Sequence, residues 1–159
     1  MPGLKKLAAS PNDEIQIVEF EPRHGPEVRR LVSGVHEEFG FSYDPVLDAD
    51  LDRIEQVYGG RGGFWVAIVE GRVVGTAALL ERSRTLAELK RMYLLPPYRG
   101  HGMGHALLRR VLDHACRNGY AEVLLDTTAR QTGAIRLYER HGFKRVSVDG
   151  DALYYRLTL

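Results

Sequence analysis

The stretch Tyr98-Arg99-Gly100-His101-Gly102-Met103-Gly104 joins a predicted strand to a predicted helix and carries glycine at alternate positions. Glycine adopts positive φ at little steric cost and lets a ligand approach the backbone closely. The free N–H groups at the start of a helix attract anions, with an end charge of roughly +0.5. The loop therefore predicts a binding site for a phosphate or pyrophosphate group, with an ordinary glycine-rich turn as the alternative interpretation.

Two other phosphate-binding motifs do not fit this loop. A dinucleotide fingerprint needs a third glycine where Leu107 stands, and a P-loop needs Lys followed by Ser or Thr. A second glycine-rich run, residues 59–63, also lacks the Lys-Ser/Thr ending, and we interpret it as a turn.

Helices and strands are predicted to alternate on both sides of the loop, without repeats. Hydrophobic periodicity predicts seven strands, at residues 15–20, 64–69, 72–80, 86–95, 123–127, 143–148 and 152–157. It predicts four helices, at residues 26–39, 48–58, 104–118 and 131–141. We expect one mixed α/β domain over residues 15–159, with a central, mostly antiparallel sheet, preceded by a flexible lead-in at residues 1–14.

Composition restricts the class of protein. The chain has 159 residues, of which 44% are hydrophobic, enough for one core. Its single cysteine, Cys116, excludes an internal disulfide, and we predict that this residue is buried in its helix. No apolar run is long enough to span a membrane and no signal segment is evident, so a cytoplasmic protein without a membrane partner is expected.

Charge and histidine positions suggest what the chain binds. Acidic residues are in excess before residue 82, whereas basic residues are in excess over residues 82–145, so the later half is expected to hold an anion. His101 and His105 stand four apart, a spacing that could hold zinc, but we place both beside phosphate and predict no metal. The arginines of the basic half lie on outward helix faces without interleaved aromatic residues, which disfavours nucleic acid as a partner.

The residues around the glycine loop match a known family. The pattern Arg-x-x-Gly-x-Gly, at Arg99, Gly102 and Gly104, follows the strand end Met92-Tyr93-Leu94 and precedes residues 134–143. From residue 63 to residue 146 the chain resembles the GCN5-related N-acetyltransferase (GNAT) superfamily, and residues 64–67, 88–93 and 123–127 resemble its camello-like branch. The resemblance implies a GNAT-type acyl-CoA N-acyltransferase fold and transfer of the acetyl group of acetyl-CoA to a primary amine by direct attack in a ternary complex.

The resemblance also implies which residues hold acetyl-CoA, the acyl-donor substrate. Backbone amides of the glycine loop would bind the pyrophosphate, and the strand before the loop would pair with the pantetheine arm. Gln131 stands where many relatives have an asparagine that touches the cofactor. The implied cofactor-binding residues are Met92, Tyr93, Leu94, Arg99, Gly100, His101, Gly102, Met103, Gly104, His105 and Gln131.

Two residues are candidates for catalysis. Tyr138 occupies the family's general-acid position, and a phenol with a reference pKa of about 10 is protonated at neutral pH and can protonate a leaving thiolate. The alternative interpretation is a packed aromatic residue. Glu88 matches the glutamate used as a base by histone-modifying members, with a strand charge paired to Lys90 or Arg91 as the alternative and Asp126 as the reserve candidate for the base.

The acceptor and the assembly are less constrained. The resemblance implies a small-molecule or peptide amine acceptor, and a homodimer stays open. Glu37, Glu38 and Asp44 flank the aromatic residues Phe39, Phe41 and Tyr43 at the junction of the first two helices, which predicts a cationic amine with an apolar body. The alternative is that Phe39 and Phe41 are core residues and the acids coat a helix. The competing hypothesis is a catalytically silent acyl-CoA-binding module used for sensing or interaction.

Overall fold

A seven-stranded sheet with the order β1-β2-β3-β4-β5-β7-β6 forms the centre of the computed structural model, which describes residues 15–159. Its strands are β1 (Gln16–Glu19), β2 (Gly63–Val69), β3 (Arg72–Glu81), β4 (Leu86–Leu94), β5 (Glu122–Thr128), β6 (Lys144–Asp149) and β7 (Ala152–Thr158). β4 and β5 pair in parallel, and the other neighbouring strands pair antiparallel. The mostly antiparallel sheet is confirmed, and the lead-in predicted at residues 1–14 lies outside the described residues.

Four α-helices occur within residues 15–159: α1 (Gly25–Glu38), α2 (Ile54–Val57), α3 (Met103–Arg117) and α4 (Thr132–Arg140). Helix α3 buries one stripe, made of Met103, Leu107, Leu108, Val111 and Ala115. Cys116 follows that stripe by one residue, which turns it about 100° away from the buried line at 3.6 residues per turn. The cysteine is therefore exposed, and the prediction that it is buried is wrong.

The two faces of the sheet carry separate cores. On one face, α3 packs against residues that include Trp65, Leu79 and Val123. On the other face, α1 presents Val28, Leu31, Val32 and Val35 to Phe64 and Val66. The helical spacing of these apolar residues explains why both helices lie flat on the sheet.

The helix predicted at residues 48–58 is broken into two short pieces. A 3₁₀ turn covers Ala49–Asp52 and α2 covers only Ile54–Val57, because Arg53 between them has φ −142° and ψ 46°. The side chains of Asp48 and Asp50 are held by Arg91 of β4. Tertiary contacts thus override the helical pattern of the sequence here.

The parallel neighbours β4 and β5 separate soon after they meet. They pair only at Leu86–Glu88 on β4 and Glu122–Leu124 on β5. Further along β4 a bulge places Arg91 at φ 53°, and the Thr76 hydroxyl donates to the Arg91 carbonyl oxygen over 2.6 Å. The end of β4 therefore lines a gap in the sheet, and its backbone groups on that side have no partner on β5.

Candidate active site

A cleft of about 680 Å³ lies along the end of β4, beyond the point where β5 separates from it, and extends to the glycine loop and the start of α4. Nine of the predicted cofactor-binding residues line it: Met92, Tyr93, Leu94, Arg99, Gly100, Gly102, Gly104, His105 and Gln131. His101 and Met103 are not among the lining residues, since the His101 side chain is exposed and Met103 packs in the core. The fold thus brings together most of a set that spans 40 residues of sequence.

The glycine loop has the backbone shape that its sequence predicts. Gly100 has φ 77° and Gly102, the residue before α3, has φ 89°, values that side chains with a Cβ rarely adopt. A Cβ on Gly104 would lie 3.1 Å from Leu137 Cδ2, so this glycine lets α4 approach α3 closely. The first turn of α3 therefore opens onto the cleft with its N–H groups available to an anion.

Arg99 joins the loop to the end of α1. Its Nη1 and Nη2 donate to the two oxygens of Glu38 over 2.5 and 2.8 Å, and its Nε donates to the Leu94 carbonyl oxygen over 2.9 Å. The hydrogen bond from Arg99 lowers the pKa of Glu38. The predicted phosphate-contacting arginine is thus also a structural tie between α1 and β4.

Other arginines give the cleft a basic rim. Arg130, Arg136 and Arg140 all line it. Arg130 donates to the Phe39 carbonyl oxygen over 2.8 Å and lies 3.7 Å from Asp151. Over residues 15–159 no acidic group pairs with Arg136 or Arg140. A cleft with this rim favours a ligand that carries several negative charges.

The Gln131 side chain hydrogen-bonds to the end of β5, just before α4. Its Oε1 accepts hydrogen bonds from Thr127 Oγ1 at 3.0 Å, from the Thr128 N–H at 3.2 Å and from Thr128 Oγ1 at 3.3 Å. The side-chain oxygen therefore fixes the entry to α4, and the amide nitrogen is the part left to contact a ligand.

Tyr138 has a packed ring and is not among the residues that line the cleft. Its residue is 5% exposed, and the ring meets Phe143 edge to face at 5.9 Å between centroids. Its hydroxyl oxygen is not fully buried, because over residues 15–159 only His24 Nε2 is a fully buried side-chain polar atom without a hydrogen-bond partner. Burial raises the pKa of Tyr138, and the nearby Tyr93 and Asp126 raise it further, so the phenol stays protonated at neutral pH.

The two candidate bases lie on the same face of the sheet. Glu88 is opposite Leu124 of β5, and Asp126 is two residues further along that strand. Arg82 pairs with Glu88 and its Nε donates to Oε1 over 2.6 Å, so neither alternative partner, Lys90 or Arg91, is used. Burial raises the pKa of Asp126, and the charge of Glu88 adds to the effect.

Sequence reasoning missed two features of the site. His36 of α1 contacts Tyr93, with Nε2 and the tyrosine hydroxyl oxygen 3.2 Å apart. A histidine four residues after Val32, on the buried stripe of α1, was the available signal. The second feature is a contact between His105 Nδ1 and His141 Nε2 at 2.7 Å, which His101 does not share.

The part of the chain that the structure describes has neither a metal-binding cluster nor a membrane-spanning helix. The described residues hold no group of three or more His, Cys, Asp or Glu side chains placed to bind a metal ion. No helix formed by residues 15–159 has both the length and the apolar character needed to cross a membrane.

Comparison with known proteins identifies relatives over most of the chain. Residues 28–143 match the model of the Acetyltransferase (GNAT) family. N-acetylaspartate synthetase from Xenopus tropicalis is 45% identical over 105 residues, which cover 64% of this chain and 39% of that protein. The chain thus spans about two fifths of that relative. The uncharacterized N-acetyltransferase YjgM from Escherichia coli (strain K12) is 36% identical over 128 residues, 76% of this chain and 77% of that protein.

A camello-like relative and a solved structure complete the comparison. Human N-acetyltransferase 8B, a camello-like protein, is 38% identical over 122 residues, 72% of this chain and 54% of that protein. The crystal structure of an acetyltransferase from Streptococcus agalactiae 2603 superposes with a TM-score of 0.86 at 27% identity, covering 92% of this chain and 99% of that one. The GNAT-type fold predicted from the sequence is confirmed. Since the family match runs from within α1 to Phe143, the residue before β6, this chain belongs to the GNAT acetyltransferase family.

Proposed function

We propose that this protein transfers the acetyl group of acetyl-CoA to a primary amine, by direct attack of the amine in a ternary complex. The observation that carries the proposal is the cleft that runs from the glycine loop to the end of β4, where β4 and β5 have separated. One end suits a pyrophosphate, and at the other end the lining residue Tyr93 is close enough to Tyr138 to raise the pKa of that protonated phenol. The two ends together match the two ends of an acyl-CoA thioester.

Binding of acetyl-CoA follows from the chemistry of each part of the cleft. The amides at Gly100, Gly102 and Gly104 would hold the pyrophosphate, with Arg136 and Arg140 placed to neutralise phosphate charge. The edge of β4 at Met92 and Leu94 has no partner on β5, although the Leu94 carbonyl oxygen already accepts from Arg99. The remaining backbone groups of this edge would hydrogen-bond the amides of the pantetheine arm, as one strand adds to another. These contacts would fix the thioester beside the bulge of β4.

The chemical step needs one acid and one proton acceptor. The amine attacks the thioester carbon, and an N–H near Met92 would stabilise the negative charge that develops on the carbonyl oxygen. Tyr138 would protonate the departing thiolate as the C–S bond breaks. Glu88 and Asp126 are the carboxylates that could take the proton of the amine, directly or through water.

The second candidate function is a catalytically silent acyl-CoA-binding module. The position of Tyr138 favours the enzyme, because a module that only binds acyl-CoA has no use for a protonated phenol beside the gap. Release of free thiol from acetyl-CoA, measured with a panel of amines, separates the two functions. Binding of acetyl-CoA without amine-dependent thiol release would support the silent module instead.

Two of the three carboxylates predicted to bind a cationic acceptor already have hydrogen-bond partners in the protein. Glu38 is already paired with Arg99, and the Asp44 carboxylate accepts the N–H groups of Val46 and Leu47. Fewer carboxylates are therefore free to read a cationic amine, and the cationic acceptor stays a prediction.

A panel of acceptors tests that prediction. The relative from Xenopus tropicalis is named for N-acetylaspartate, so the panel includes aspartate beside polyamines, arylalkylamines and peptides with free lysine. Neutralising Glu37 and Glu38 together should lower kcat/KM for cationic acceptors selectively. Equal acetylation of aspartate and cationic amines would show that these carboxylates do not read substrate charge.

Location and assembly complete the proposal. A single cysteine is typical of proteins kept in a reducing compartment, which supports a cytoplasmic location. Size-exclusion chromatography with light scattering would decide between a monomer and a homodimer.

A further inference from the structure

The contact between His36 and Tyr93 lies where two cavities meet. Tyr93 lines the cleft that we assign to acetyl-CoA. His36 lines a second cavity of about 500 Å³, between α1 and the segment of residues 41–52. The 3.2 Å contact between His36 Nε2 and the Tyr93 hydroxyl oxygen therefore links the reacting end of the cleft to a separate space.

Packing holds both side chains in this geometry. The His36 ring meets the Tyr93 ring edge to face at 5.7 Å between centroids, and meets Phe41 in the same way at 5.8 Å. Tyr93 packs with the core on the α1 face of the sheet. The pair is thus a fixed element of the fold and not a chance surface contact.

The charges around His36 suit a neutral imidazole that can accept a proton. Burial lowers the pKa of His36 from its usual 6.5, and Arg91 lowers it further, while Asp48 and Asp50 work in the opposite direction. The second cavity adds the charged or titratable groups Arg29, Glu37, Tyr43 and Asp52. At neutral pH the imidazole is therefore uncharged, and the two aspartates can stabilise the imidazolium formed when it takes a proton.

Glu88 is placed less well than Tyr93 to take a proton from an amine in the cleft. Its carboxylate is engaged by Arg82, and it stands on the paired part of β4, before the strands separate. Tyr93, by contrast, follows the bulge and lines the cleft itself.

We propose that Tyr93 and His36 form a proton path that takes the proton lost by the acceptor amine, which deepens and rests on the proposed acetyl transfer. The Tyr93 oxygen accepts a proton from the amine while its own proton passes to His36 Nε2, so the tyrosine ends the step neutral. The amine nitrogen then forms its bond to the acetyl carbon, and the C–S bond breaks with the thiolate protonated by Tyr138. The proton left on the acetylated nitrogen passes through water to the Tyr138 phenolate and restores the phenol. The imidazolium releases its proton to water in the second cavity, so one ammonium ion and one thioester give one amide, one thiol and one proton.

The test is the pH profile of kcat, measured from pH 5 to 8.5 with both substrates saturating. His36→Gln keeps a polar side chain of similar size but cannot carry the proton. We expect kcat at pH 7.5 to fall about 10²-fold, the low end of the range for loss of a proton-transfer group. In the wild-type protein kcat should decrease below pH 6.5, as His36 becomes protonated. This acidic limb of the profile should be absent from His36→Gln and from Tyr93→Phe.

A matched control and a double variant separate the proton path from a structural role. His114→Gln changes a histidine of α3 that contacts the Arg61 and Gly62 carbonyl oxygens, and it should leave the shape of the profile unchanged. The double variant of His36 and Tyr93 should be no slower than the slower single variant, because the two residues act as one unit. Circular dichroism and acetyl-CoA titration confirm that each variant folds and binds.

Each outcome supports or overturns the proposal. A His36→Gln profile lowered uniformly but unchanged in shape would reduce His36 to a structural role and overturn the path. A limb that survives in His36→Gln but is lost in Glu88→Gln would assign the proton to Glu88. If the wild-type protein binds acetyl-CoA but acetylates no amine, the proposed function fails and the path fails with it.

Discussion

Replacing Arg91 with methionine should destabilise the protein far more than the same change at Arg82. The Arg91 side chain is 7% exposed and donates to Asp48 Oδ1 over 3.0 Å and to Asp50 Oδ1 over 2.5 Å. Its Nε also donates to Asp50 Oδ2 over 2.9 Å. Methionine fills similar space but carries no charge, so two enclosed carboxylates would lose their counterion.

The size of the effect follows from burial. Removing one partner of a buried ion pair costs about 3–5 kcal/mol, since the other charge is left uncompensated. Arg82 is 48% exposed and its partner Glu88 is 12% exposed, so water reaches the guanidinium, and an ion pair open to water contributes about 0–1 kcal/mol. For a domain of this length a loss of 3–5 kcal/mol lowers Tm by about 6–20 °C.

Urea unfolding followed by the fluorescence of Trp65, the single tryptophan, measures the difference. The Arg91 variant should show a lower midpoint at an unchanged slope, and Arg91→Lys should fall between it and the wild type because lysine keeps the charge but not the planar fork. Equal losses for the Arg91 and Arg82 methionine variants, or a loss below about 1 kcal/mol at Arg91, would refute the reasoning.

Three further predictions follow from the site and its surroundings. Gly102→Val should weaken acetyl-CoA binding at least tenfold, about 1.4 kcal/mol, because Gly102 has φ 89° and valine would distort the anion site; unchanged affinity by titration would remove the loop from the site. Tyr138→Phe should lower kcat by about 10² to 10⁴ with acetyl-CoA affinity nearly intact, and wild-type turnover would withdraw the general-acid role. Burial acts to raise the pKa of Asp50, but hydrogen bonds from Arg91 and Tyr58 outweigh it and the net pKa is lowered. The stability that this shift provides is present above the unfolded pKa of about 3.9 and is lost as the pH falls through the lower folded pKa, so Asp50→Asn should flatten Tm against pH below about pH 4.

The long amphipathic elements could be predicted from the sequence because their patterns are local. Helices α1 and α3 and strands β2, β3 and β4 lie within two residues of their predicted bounds. Each helix buries one apolar stripe, β2 and β3 are apolar runs buried on both faces, and β4 alternates between buried and partly buried residues. The glycine loop was predictable for the same reason, because its glycines, the preceding strand and the following helix are all local in sequence.

Other features depend on contacts between distant residues. The break at Arg53 and the bulge at Arg91 flank the ion pairs between β4 and residues 48–50, which lie about 40 residues apart in sequence. A non-glycine residue at positive φ carries no sequence signal. His36 was recognisable as a member of the buried stripe of α1, but its contact with Tyr93 required knowing which strand α1 covers.

Product analysis with acetyl-CoA and the amine panel tests the central claim most directly. Mass spectrometry of the amine and a thiol assay of the same reaction should show one acetylated amine for each CoA released, with both signals reduced together in Tyr138→Phe. Thiol release without an acetylated amine would show that the cleft only hydrolyses acetyl-CoA. Saturable acetyl-CoA binding with neither product, across all acceptors, would contradict the assignment as an N-acetyltransferase.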